Sequence, residues 1–192
     1  MPRNRLLLPL ILSTAVLVGC SGSNAVDPTT GNPKDYIDLG QGETVLAAAD
    51  RPAVPDLTGT LIDGQPFSSS AWSGSVIVVN FWGSWCAPCI AEADAVEAVA
   101  DQTAPLGVHV LGIDVRDTAV EASAFDRRHG ITYPSIEDPS EQTALSFPDL
   151  PPDTIPSTVV IDRRGREAVR ILGAVEFTGL LAVVRQVAAE PS

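Results

Sequence analysis

Cys86 and Cys89 stand three positions apart in FWGSWCAPCIAE, residues 81–92, and the chain has one further cysteine, Cys20. Two thiols at that spacing can close a structural disulfide, supply half of a zinc site, or cycle between dithiol and disulfide. Zinc fits worst, because a structural site takes four ligands, commonly from two cysteine pairs. The other candidates are Cys20, His109 inside a strand-like run and His129 at a helix end. A staple is also weakly motivated, since closing so short a loop removes little entropy from the unfolded chain. The spacing therefore favours a working dithiol, with the other two readings as alternatives.

The elements around the pair must position it. SVIVVNFW, residues 75–82, is continuously apolar and β-branched, as a strand buried on both faces should be. Ile90 to Asp101 is Ala-rich with Glu92, Asp94, Glu97 and Asp101 interspersed, which predicts a helix. Cys86 thus falls where the strand ends and the helix starts, beside unpaired amides and the positive end of the helix dipole. Those groups favour thiolate over thiol, so Cys86 is the predicted nucleophile. Cys89, on the same helical face, is the predicted resolving thiol. Pro88 suits the first turn, where its missing N–H would go unpaired in any case.

Further along, GVHVLGIDV (107–115) predicts a second buried strand. Thr118 and Glu121 have capping-box spacing, and His129-Gly130 closes the helix they open. STVVIDRRGREAVRILG reads as two strands around Arg164-Gly165, and Phe177, Leu180, Leu181, Val184 and Val187 form one stripe of a last helix. Upstream, VPDLTGTLIDGQPF predicts two short strands around Asp63-Gly64, and DYIDLGQGETVLAAADR a hairpin around Gly40-Gln41-Gly42. A βαβ stretch, an antiparallel hairpin and a closing helix predict an α/β fold: a mixed central sheet flanked by helices, with an N-terminal β extension. This domain is read as residues 35–192, its core beginning near residue 51.

Arg3 and Arg5 precede an apolar run, Leu6 to Val18, which reads as an export signal. The run falls short of the roughly 20 apolar residues of a comfortable membrane span. LVGC, residues 17–20, resembles the bacterial lipobox, which implies cleavage after Gly19 and a diacylglycerol on Cys20. The protein is then expected outside the cytoplasm, attached to the outer face of the cell membrane; the alternative is an ordinary secretory peptide. Residues 20–34, rich in Ser, Gly, Asn, Thr and Pro, read as a flexible tether. The net charge of −12, from 24 acidic and 12 basic residues, argues against nucleic acid as a partner. Loss of residues 1–19 removes Arg3 and Arg5 and no acid, taking −12 to −14, so lipid and not a basic patch would hold the protein at a membrane.

VVNFWGSWCAPC, followed far downstream by IPSTVVID, resembles the TlpA/ResA-like branch of the thioredoxin superfamily, extracytoplasmic thiol–disulfide oxidoreductases that are often lipid-anchored. The likeness spans residues 51 to 190 or so. It implies the thioredoxin-like fold and a cis peptide between Ile155 and Pro156 abutting the cysteines. It also implies that the backbone of Ile155 pairs with a bound partner, alongside Trp85, Ala87 and Pro88. Without the resemblance, Pro156 is a strand-edge proline, while Trp82 and Trp85 are core filling or apolar shields of the disulfide.

Two departures matter. Thioredoxin itself carries a buried Asp in the strand before the motif; here Asn80 stands there, and Asn cannot take a proton. In the ResA-like branch that role is ascribed to a Glu three residues after the second cysteine, which Glu92 matches. A carboxylate there would accept the Cys89 proton and raise the thiol pKa values; the alternative is a solvated helix acid. Asp94 replaces the family's usual helix-kinking proline, so a straighter helix is expected and the geometry of Glu92 is left open.

The expected reaction is thiol–disulfide exchange with protein thiols and disulfides, requiring no metal or organic cofactor. Ala87-Pro88 and Ile155 resemble thioredoxin more than a strong oxidant, which favours a reductant over the alternative, an oxidant. Family precedent makes apocytochrome c one candidate substrate, with a membrane thiol electron donor or re-oxidant as the second partner. Two other readings stay open: a peroxide-reducing enzyme of related fold, and a non-catalytic thioredoxin-like binding module.

Overall fold

The computed structural model describes residues 42–151 and 153–191, so the export signal, Cys20, the tether and the run Tyr36–Asp38 lie outside the described residues. The centre of the domain is β4 (Val76–Trp82), whose seven residues are all buried. It pairs in parallel with β5 (Val108–Val115) and antiparallel with β7 (Ser157–Ile161). Beyond β5 lies β6 (Ser135–Asp138), parallel; beyond β7 lie β8 (Glu167–Leu172) and then β1 (Glu43–Val45), both antiparallel to their neighbours. The sheet order is therefore β1-β8-β7-β4-β5-β6, a mixed sheet as the pattern predicts. A separate hairpin, β2 (Thr58–Thr60) with β3 (Pro66–Ser68), forms around Asp63-Gly64, where Gly64 supplies the positive φ of 84°.

Alternation along β4 divides the core in two. Val76 and Val78 pack with Val96 and Val99 of α1 (Ala87–Thr103) and with Leu180 and Val184 of α3 (Phe177–Ala188). Ile77, Val79 and Phe81 face the other way, onto Leu57, Phe147 and Leu150. Each such side chain contributes roughly 1.5–3 kcal/mol on burial, so both faces of the strand help to hold the sheet between its two layers. A third cluster, at the end of β4, joins Trp82, Cys86 and Cys89 to Ala122 and Phe125 of α2 (Ala119–His129).

Local signals explain most boundaries. Thr118 and Glu121 form the reciprocal cap of α2, and Gly130 ends it with φ 66°. The predicted stripe of α3 is buried at Leu180, Leu181, Val184 and Val187, with Val183 added. α1 starts at Ala87, three residues before the predicted Ile90, because Cys86 caps it and Pro88 sits in its first turn. It runs unbroken through Asp94 to Thr103.

Two features go beyond the sequence reading. Glu43–Val45, the described half of the hairpin expected around Gly40-Gln41-Gly42, pairs with β8, a partner the sequence reading did not assign, with Glu43 opposite Ile171; the other half lies outside the described residues. β6 went unpredicted, since Ser135-Ile136-Glu137-Asp138 has one strongly apolar residue among carboxylates. It exists because the edge of β5 needs a partner. Gly112, opposite Ser135, is required there: a Cβ would lie 2.1 Å from Ser135 Oγ and 2.7 Å from Trp82 Nε1.

Candidate active site

Cys86 and Cys89 form a disulfide, with S–S 2.05 Å and Cα atoms 5.2 Å apart. Cys86 is the N-cap of α1 in extended conformation, its carbonyl accepts from Ile90 N at 3.0 Å, and its sulfur accepts from Cys89 N at 3.3 Å. A backbone donor aimed at this sulfur, at the positive end of a 17-residue helix, stabilises negative charge there. Both cysteines are buried, while Trp85, Ala87, Pro88 and Ile90 around them are exposed. The turn before the pair is pinned from another loop: Asp117 accepts from Ser84 N at 2.6 Å and from Ser84 Oγ at 2.9 Å. Asp117 was not singled out in the sequence; its only local sign is its place directly before the α2 cap.

The Ile155–Pro156 peptide is cis. Pro156 is buried at the entrance to β7, and Ile155 packs into the cluster of Trp82, Cys86 and Cys89. Sequence separation thus hides a contact that β4–β7 pairing creates. Trp82 is buried and stacked on Phe125 at 4.5 Å between centroids, so it is core filling that also lies in the cysteine cluster. Trp85 is 50% exposed, with Nε1 donating to Val115 O at 3.3 Å.

Glu92 is 2% exposed, not a solvated helix acid. Oε1 accepts from Asn80 Nδ2 at 2.9 Å and Oε2 from Val175 N at 2.7 Å; Asn80 also donates to Thr158 Oγ1 at 3.2 Å. Burial pushes the Glu92 carboxyl up to about 7, against the lowering effect of those two donors. Asn80, which cannot itself carry a proton, therefore positions a group that can. Asp94, two residues on, has a side chain 86% exposed, 3.5 Å from His129 Nδ1.

A second buried acid lies nearby. Asp114, paired with Trp82 across β5 and β4, is 1% exposed, and neither of its oxygens has a hydrogen-bond partner among the described residues. Burial, with Asp117 alongside, pushes it up to about 9. Nothing in the local sequence GIDVRD marks that residue. Among the described residues, no three His, Cys, Asp or Glu side chains come together to hold a metal ion.

Residues 51–167 match the AhpC/TSA family. The chain is 29% identical over 119 residues to the thiol-disulfide oxidoreductase ResA of Geobacillus kaustophilus, covering 62% of this chain and 67% of that protein. It is 32% identical over 132 residues to the thiol:disulfide interchange protein HelX of Rhodobacter capsulatus, covering 68% and 70%. Among solved structures, it is similar to a secreted thiol-disulfide isomerase from Corynebacterium glutamicum, with a TM-score of 0.75 and 34% identity, covering 81% of this chain and 96% of that one.

Proposed function

For a chain that belongs to the AhpC/TSA family, with a thioredoxin-like fold and the thiol–disulfide oxidoreductase activity its homologues are named for, we propose a role as a membrane-tethered extracytoplasmic reductant of protein disulfides. The observation that carries the reading is the Cys86–Cys89 pair capping α1 in the same apolar cluster as Ile155. The Cys86 thiolate attacks a sulfur of the partner's disulfide and expels the other partner sulfur as thiolate. Cys89 then attacks Cys86, releases the second partner thiol and leaves the Cys86–Cys89 disulfide, so two electrons pass to the partner. The proton lost by Cys89 goes to Glu92, one turn further along α1 and titrating near neutrality. Pro156 keeps its strand from covering the sulfurs, and Ile155, Trp85, Ala87 and Pro88 meet the partner chain. A haem-binding apocytochrome c is one substrate that the family resemblance supports, with a membrane thiol donor returning the electrons. Attachment through lipid on Cys20 is part of the same reading.

Cys89→Ser should accumulate mixed disulfides through Cys86, and Cys86→Ser should trap few; the reverse pattern overturns the assignment. The reduction potential of the pair decides direction: a value near the roughly −270 mV of thioredoxin supports a reductant, and one near the roughly −120 mV of a strong oxidant overturns it. Cys20→Ala should release the protein from membranes with its disulfide exchange intact, and an unacylated wild-type protein would remove the anchoring proposal.

A further inference from the structure

We propose that Arg116 is a positioning residue for partner docking, holding Trp85 and the segment that leads into Ile155–Pro156 in one fixed arrangement beside the disulfide. This rests on the reading of the chain as an exchanger of protein disulfides. Trp85 precedes Cys86 and is half exposed, yet its indole is held on two sides. Its Nε1 donates to Val115 O at 3.3 Å, in space that exists only because residue 83 is glycine: a Cβ there would sit 2.8 Å from Nε1. The Arg116 guanidinium lies over the ring, 5.4 Å from its centroid.

The same guanidinium reaches away from the indole to two carboxylates. Nε donates to Glu141 and Nη2 to Asp153, both in the connection between β6 and β7. Asp153 stands two residues before Ile155, whose side chain packs against the cluster that holds both cysteines. Arg116 therefore joins the disulfide's two neighbours from distant parts of the chain.

Backbone geometry makes the same point independently. Among the described residues, the non-glycine positions with positive φ are Arg116 at 58°, Glu141 at 56° and Asp153 at 59°. Left-handed backbone is uncommon outside glycine and persists where surrounding contacts over-determine it. Here one residue of that kind, Arg116, is the ion-pair partner of the other two, which stand on a separate loop. Arginine suits the task because its flat face stacks on an aromatic ring while its edge N–H groups point outward to carboxylates; the lysine ammonium has neither feature. With two carboxylates matched to it, the cation is occupied, and what the wall offers a partner is the indole.

Fixing these neighbours in advance lowers the ordering cost of docking an extended polypeptide. A small disulfide, which needs only the sulfurs, gains nothing from them. Arg116→Ala is accordingly expected to raise the KM for insulin reduction roughly tenfold while changing its kcat less than about twofold, as lost preorganisation of binding should. Turnover of hydroxyethyl disulfide should stay within about twofold of wild type, because it reads the dithiol alone. Trp85, the most exposed of the indoles, should become more accessible to acrylamide quenching. Arg116→Lys, which keeps the charge opposite Glu141 and Asp153 but has no flat face for the indole, should also raise the insulin KM. An unchanged insulin KM in Arg116→Ala overturns the proposal, as does an equal slowing of insulin and hydroxyethyl disulfide. Unchanged quenching in Arg116→Ala also overturns it. Wild-type protein that reduces neither substrate overturns the exchange reading, and the docking role with it.

Discussion

Glu92 and Asp162 are buried acids at opposite ends of the central sheet, 2% and 4% exposed. Glu92 lies by the cysteine end of β4; Asp162 follows β7, whose Ile161 pairs with Ile77 near the start of β4. Asp162 is ringed by cations: it accepts from Arg51 Nη1 at 3.1 Å and from Arg166 Nε at 3.0 Å and Nη2 at 2.8 Å, besides the backbone amides of Arg164 and Arg166. Glu92 accepts from an uncharged amide and a backbone N–H. Burial pushes both upward. At Asp162 the bonds from Arg166 and Arg51 outweigh it and hold the carboxyl below its ordinary value, whereas at Glu92 the neutral donors do not, and it rises to about 7. Two acids similarly hidden from solvent thus differ: a carboxylate held charged at one end, and at the other a carboxyl that ionises near neutrality. Two guanidinium groups and two backbone amides at Asp162, against two neutral donors at Glu92, make the difference.

The sharpest break comes from Asp162→Ala. It leaves Arg51 to Glu190 and the Leu46 carbonyl, takes the acceptor from the Arg166 guanidinium and from the backbone amides of Arg164 and Arg166, and should cost about 3 kcal/mol in urea unfolding, as removal of a buried acceptor shared by several donors does. Disulfide exchange by the protein that remains folded should be unaffected. Were exchange lost in proportion to nothing but this acid, the division between the two ends would collapse.

Glu92→Gln comes next. Glu92 ionises near 7 in the folded protein against 4.5 when unfolded, so the folded state holds its proton more tightly across that window. Stability from this group is fully present below pH 4.5 and is lost as pH rises through 7, by about 3 kcal/mol, at 1.36 kcal/mol per pKa unit. Wild type minus Glu92→Gln should show that slope when unfolding is followed from pH 4.5 to 8 or so; parallel curves would mean that the carboxyl is not shifted. In single-turnover experiments, resolution of the mixed disulfide should slow roughly 100-fold, the scale of lost general-base assistance. Attack by Cys86 should not slow, and the cysteines should titrate earlier once the nearby negative charge is gone.

Asn80→Ala sharpens the contrast from the donor's side. Without an amide that favours the ionised form, the Glu92 carboxyl should move above about 7, and the pH at which resolution is half-maximal should rise with it. The lost hydrogen bond should cost about 1–3 kcal/mol in unfolding experiments. An unmoved pH profile would show that Asn80 only fills space. Smallest is Asp94→Asn, on the same helix but with an 86% exposed side chain: stability should change by less than about 0.5 kcal/mol and resolution not at all. If it matched Glu92→Gln, position on α1 and not burial would be the operative variable.

Much of this was legible in one dimension. Thr118 with Glu121 marked the start of α2 because a cap is made within four residues, and SVIVVNFW marked β4 because a strand covered on both faces has no polar side to show. The strand-to-helix junction placed Cys86 at a helix N-terminus from spacing alone. What spacing left open was Glu92, which on α1 is one acid among several: its isolation from water depends on Asn80 from β4 and on the chain at Val175, 83 residues away. Asp117, Asp114 and Arg116 were invisible for the same reason, each owing its character to a loop or strand far from it in sequence.

The sequence by itself determined the local chemistry: which thiol caps a helix, which segments form strands and helices, and which residue pairs the family resemblance brings together. These depend on neighbours within a turn or a pleat, where covalent geometry limits the arrangements. The tertiary structure alone decided which acids are buried and beside what. Desolvation and hydrogen bonding act through space, so the difference between Glu92 and Asp94, two positions apart on one helix, appears only after β4 and the chain at Val175 have closed around one of them.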